Sequence, residues 1–226
     1  MTETMTMGVA RAANGERAVT DALRIFAGVR NGTMRAVASL TEEQAGFRPN
    51  SKEWSVAQIL DHLLLTEGLY RTQMSRMVDL ARQGRSLNID VSLSEVDLSL
   101  PFIPKALMPL MALPLTMMNM FVPQVLRETV LRFPVMKAKN PKISEPAAAK
   151  SISLLREELA ASLAQTEACF AGTLPTNASR VTVSHPVFGR NTIANVFGLM
   201  AGHEERHGSQ ISSLLRDPAF PAGGRF

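Results

Sequence analysis

The chain has 226 residues, 46% of them hydrophobic and 19% charged, with a formal net charge of +4. That length supports a full core in one domain, and that composition excludes general disorder. The Lys and Arg are scattered and aromatics are few, which excludes a nucleic-acid-binding footprint. The single cysteine, Cys169, excludes an internal disulfide.

The cysteine usage fits a reducing compartment, or a small buried side chain, and nothing beside Cys169 supports a nucleophile. Residues 1–15 are small and polar without an apolar core segment, so they read as a flexible N-terminus and not as a secretion signal. A cytoplasmic protein is the expectation.

From about Glu16 to Leu40, Val19, Leu23, Phe26, Val29 and Val37 recur at helical spacing. Gly32 weakens this helix without ending it. Thr41 and Gln44 form a capping-box pattern for a short helical turn, closed at Phe47-Arg48-Pro49. Ser55 and Gln58 form a second capping box, and the helix it opens should run to about Arg82. Its inward stripe reads Ile59, His62, Thr66, Leu69 and Met77. Trp54, just before the cap, reads as a hydrophobic anchor for the helix start or as a substrate contact.

Residues from about 86 to 140 form an insertion. Gly84, Pro101 and Pro104 mark an irregular stretch, followed by the nearly continuous apolar run Ala106 to Val122, which contains Pro109 and Pro114. A kinked, buried helical region is the reading, since the run is at the short end for a membrane span. Its methionines suit core packing, a pocket for apolar ligands or a self-association surface. Lys137 to Pro146 reads as a linker. From Ala147 to Phe170 a helix carries the stripe Ile152, Leu155, Leu159, Leu163 and Phe170, and Gly172 ends it. Leu174 to Gly189 is a connection with a short extended piece at Val181-Thr182-Val183. His185 falls in it and reads as structural or surface. The tail after residue 216 is a loop. The expected architecture is all-α, a four-helix bundle over residues 16–216 with the apolar insertion before its third long helix.

The last long helix holds Gly202-His203-Glu204-Glu205-Arg206-His207-Gly208. His203 and His207 are four apart, so both imidazoles lie on one face, one turn apart. They fill a gap in the apolar stripe Ile193, Val196, Met200, Ile211 and Leu214. Buried imidazoles need hydrogen-bond partners or a metal ion, and this spacing favours the metal. The segment also matches the H-E-x-x-H pattern of zinc proteases, with Glu204 as general base. Those enzymes take a further ligand downstream, and after His207 the only acid is Asp217, with no His or Glu. The remaining candidate third ligand is His62. Three imidazoles leave a coordination position open, the mark of a reactive site. Nitrogen-only ligation suits zinc, nickel, copper or iron.

Trp54-Ser55-Val56-Ala57-Gln58-Ile59-Leu60-Asp61-His62-Leu63 resembles the segment that opens the second helix of DinB-like (DinB/YfiT) proteins. His185-Pro186-Val187-Phe188-Gly189, followed by His203, His207 and Gln210-Ile211, resembles that family's C-terminal signature. The resemblance implies a four-helix bundle with a three-histidine metal site on His62, His203 and His207, holding a divalent transition metal, zinc or nickel ahead of iron or copper. It implies an enzyme that transfers a low-molecular-weight thiol, such as mycothiol or bacillithiol, or a related hydrolase or isomerase. The apolar insertion is a departure from the family pattern. The resemblance implies a small-molecule substrate as partner; the insertion offers a surface for a homodimer, and composition and run length point to no nucleic acid and no stable membrane span. The alternative is a non-catalytic, stress-associated helical bundle acting as a dimeric binding module. Glu204 and Glu67 are among the acids nearest to the ligands in sequence and are candidates for supporting or proton-transfer groups.

Overall fold

The computed structural model describes residues 2–85, 88–90, 146, 150–172, 174–185 and 189–222. The helical reading of residues 106–122 and the roles considered for it lie outside the described residues.

Four long helices pack together: α1 (Thr2–Ala36), α3 (Val56–Arg82), α4 (Ile152–Phe170) and α5 (Ile193–Leu215), with the short α2 (Glu42–Gly46) between the first two. The helix starts follow local chemistry. At α2 the Thr41 hydroxyl accepts from the Gln44 backbone N–H while Thr41 N–H donates to Gln44 Oε1. Ser55 and Gln58 make the same reciprocal pair at α3, satisfying two otherwise orphaned donors at each start. Ser151 caps α4 and Thr192 caps α5. Gly32 sits inside α1 without breaking it, and Gly172, at φ +90°, turns the chain out of α4 in a conformation only glycine adopts freely.

A small sheet accompanies the bundle. β1 (Asn88–Asp90) runs parallel to β2 (Thr182–His185), which pairs antiparallel with β3 (Gly189–Asn191). An all-α architecture therefore needs correction to mostly helical with this three-stranded addition. Strands of three or four residues are too short to show alternation in a sequence. The extended piece expected near Val181 is β2, and His185 is its last residue.

α1 packs chiefly against α5, and α3 against α4 and α5. The core has two apolar halves. One gathers Val19, Phe26, Met74, Met77, Phe170 and Phe197; the other gathers Val37, Leu60, Leu63, Leu155, Leu159 and Ile211. Each long helix contributes to both halves and carries buried polar residues between them: Arg30 on α1, Glu67 on α3, Ser162 and Thr166 on α4, Glu204 on α5. The bundle thus has a polar layer across its middle.

The stripe expected on α4 is buried throughout, as are the apolar positions expected on α5. On α3, Ile59, His62 and Met77 are buried, but Leu69 is 39% exposed. Leu69 lies on the same line of the helix as His62. That line is at the edge of the core, covered at His62 by Trp54 and α5 and uncovered two turns later, where the buried face is Glu67, Met74 and Met77. Cys169, on α4, is exposed. Among the described residues no helix is long and apolar enough to cross a membrane.

Candidate metal centre

Two capping hydrogen bonds fix where α3 begins, and His62 lies in its second turn. His203 and His207 lie one turn apart on α5, which packs on α3. The three imidazoles converge. His62 Nε2 is 3.2 Å from His203 Nε2, which is 3.1 Å from His207 Nε2. The three possible ligand atoms all lie within 4.8 Å of one another. His62 and His207 are buried, and His203 is partly so.

These contacts test whether the residues fit a metal. A tetrahedral ion with metal–nitrogen bonds of ~2.0–2.1 Å holds its ligand nitrogens ~3.3–3.4 Å apart. Two of the pairs sit close to that spacing. Hydrogen bonding alone does not account for them. An imidazole Nε2 offers one in-plane site, either an N–H or a lone pair. His203 Nε2 meets two other Nε2 atoms with that single site, so one contact is left unsatisfied in every tautomer. A cation at the centre of the three satisfies all of them at once.

The surroundings prepare the nitrogens for such an ion. His207 Nδ1 donates to Gln210 Oε1 at 2.6 Å, which leaves the Nε2 lone pair facing inward. Burial pushes the His207 pKa down to about 3, helped by His62 and Arg206 and opposed by the Gln210 hydrogen bond. His203 is held well below the usual histidine range by burial first, then by His207, His62 and Arg206. Both rings are therefore neutral at pH 7, the form that ligates metal.

Trp54 forms one wall. Its ring lies 6.3 Å from that of His207 with planes 16° apart, and 5.0 Å from that of His62. It anchors the start of α3, as expected, and it does so against His62 and His207. Asp61, next to His62, is turned to Lys150, whose Nζ lies 3.1 Å from Asp61 Oδ1 and 2.8 Å from Glu158 Oε2. An open groove of about 600 Å³ between α1 and α5, lined by small residues such as Gly32, Ala36, Gly208 and Ser212, contains none of the three histidines.

Glu204, the general base that a zinc-protease motif would need, is bonded to Arg30. Its side chain is 1% exposed and its Oε1 accepts from Arg30 Nε at 2.7 Å. Glu67 Oε2 accepts from Arg30 Nη1 at 2.7 Å, and Glu67 Oε1 accepts from the Thr166 hydroxyl at 2.7 Å. Arg71 adds bonds to Ser162 and Thr166. Burial works against the Arg30 charge, yet Glu204 and then Glu67 outweigh it and raise the Arg30 pKa above its ordinary value. Sequence reasoning missed Arg30. The available signal was its position four residues after Phe26 and seven before Val37, a charge on the core line of α1.

No curated protein and no solved structure matches the chain at a significant level. The profile of the DinB superfamily matches residues 25–211, a span that runs from α1 almost to the end of α5 and includes all three histidines. A four-helix core with converging imidazoles on its second and last long helices, matched over most of its length by that profile, places this chain in the DinB superfamily.

Proposed function

We propose that this chain is a metal-dependent enzyme acting on a small molecule, with the ion held by His62, His203 and His207. The observation that carries the reading is His203 Nε2, which faces two other Nε2 atoms with one bonding site. Zinc or nickel fits three neutral imidazoles best, ahead of iron or copper. When bound, such an ion supplies Lewis acidity at the position the protein leaves open.

The chain's own residues do the rest. Gln210 orients His207 through Nδ1. Trp54 stacks on the ring of His207 and packs tilted against that of His62. Neutral His203 and His207 leave no ligand proton to be displaced at pH 7. The reaction we favour is S-transfer from a low-molecular-weight thiol in the cytoplasm, or a related hydrolysis or isomerisation. This choice rests on the resemblance of Trp54–Leu63 and His185–Ile211 to DinB-like proteins.

Metal analysis of untagged protein by inductively coupled plasma mass spectrometry tests the centre. Near-stoichiometric metal in wild type, lost in His62→Ala, His203→Ala and His207→Ala, supports it. A thiol-transfer screen on the loaded protein then tests the reaction. Wild type that takes up no zinc or nickel would make the histidines core residues and favour a binding module instead.

A further inference from the structure

The polar layer has a feature that stability does not explain. Arg30, Glu67 and Glu204 are each about 1% exposed in their side chains. Buried ion pairs gain little over well-packed apolar residues of similar volume, because desolvation offsets the attraction. Where such groups are present, the best-attested use is to specify register. The helices joined here are telling. Arg30, from α1, binds Glu67 of α3 through Nη1 and Glu204 of α5 through Nε. α3 and α5 are the two helices that carry the histidines. Glu204 directly follows His203, and Glu67 lies five residues after His62.

We propose that Arg30 is a positioning residue for the three-histidine centre: by clamping Glu67 and Glu204 it sets the axial register of α3 against α5, and so the spacing of His62 from His203 and His207. The apolar halves above and below the layer resist slip through side-chain packing, which can rearrange among apolar groups of similar size. The two bonds of 2.7 Å do not tolerate slip. One residue of slip moves a helix by ~1.5 Å along its axis, enough to break either bond. The same slip would spoil the 3.2 Å approach of His62 Nε2 to His203 Nε2. Arg is required because its planar fork offers donors in two directions at once, which a Lys ammonium does not reproduce. Thr166 and Arg71 complete the layer from α4 and α3 by holding the second oxygen of Glu67.

The inference rests on the metal-centre reading, and the experiment separates the two. Co²⁺ is titrated into untagged wild type, Arg30→Lys, Glu67→Gln and Val78→Ala, with affinity and the visible d–d spectrum as readouts. Far-UV circular dichroism confirms that each variant is folded at the working temperature. Val78→Ala truncates a buried apolar residue of α3 outside the layer and reports the effect of lost stability alone. The expected result is that Arg30→Lys and Glu67→Gln bind Co²⁺ at least ~10-fold more weakly with an altered d–d band, while Val78→Ala binds as wild type does. Wild-type affinity and spectrum in both layer variants, or weakening no greater than in Val78→Ala, overturns the role of Arg30 and leaves the metal centre standing. If Arg30→Lys does not fold, the nearly isosteric Glu67→Gln decides alone. Wild type that binds no Co²⁺ removes the metal-centre reading, and the clamp's role falls with it.

Discussion

The indole of Trp54 lies nearly parallel to the imidazole of His207, with ring centres 6.3 Å apart, and tilts against His62 at 5.0 Å. Trp54 is the only tryptophan in the chain. Its fluorescence should therefore report the centre directly. Addition of Co²⁺ or Cu²⁺ should quench the emission with a break at one ion per chain, and His203→Ala should abolish the break. A titration that leaves the wild-type emission unchanged would show that no ion binds beside Trp54.

The depressed histidine pKa values carry a pH dependence for the metal-free protein. His207 titrates near 3 in the fold and at the ordinary value of about 6.5 when unfolded. Between those values the unfolded chain binds a proton that the fold refuses. Stability is therefore fully present above pH 6.5 and falls as the pH drops towards 3. At pH 5 the loss from His207 alone is on the order of 2 kcal/mol, and His203 shifts in the same direction. Urea melts of chelator-treated protein at pH 7 and pH 5 should show this loss, and His207→Ala should reduce it. Equal pH slopes in the two proteins would contradict the buried, neutral assignment.

Gln210 is exposed except for its bond to His207 Nδ1. Gln210→Ala should leave the melting temperature nearly unchanged while weakening metal binding by about 10-fold, the usual scale for a lost partner behind a ligand. Competition against a chromophoric chelator measures this. An unchanged affinity would mean that Trp54 and packing already hold the ring.

Ser55 anchors the start of the helix that presents His62. Ser55→Ala removes the acceptor for Gln58 N–H and should cost about 1 kcal/mol in chemical denaturation. The folded variant should keep its metal, because the polar layer still sets the position of α3 further along. Loss of metal in the folded variant would show instead that the cap governs the site.

Features that depend on neighbours within one or two turns were legible before any coordinates. Both capping boxes form as their spacing requires. The α4 stripe is buried as its period requires, and His203 and His207 share a face because four residues are about one turn. His62 was legible as the remaining candidate third ligand from its place on the inward stripe of α3, and the resemblance joined it to His203 and His207, but its approach to them across most of the chain was not. Leu69 was misread because helical period identifies a line on a helix without saying how far the core extends along it.

By itself, then, the sequence determined that there are four long helices, the caps at Thr41 and Ser55, most of the apolar faces and the shared face of His203 and His207, all consequences of local hydrogen bonding and helical period, while α1 starts at Thr2 in a stretch whose small polar residues carry no such pattern. Tertiary structure alone decided that Arg30 reaches Glu67 and Glu204, that Trp54 lies against His62 and His207, and that β1 pairs with β2. Each of these joins residues far apart in the chain, and such contacts are set by how the helices dock, which no local pattern encodes.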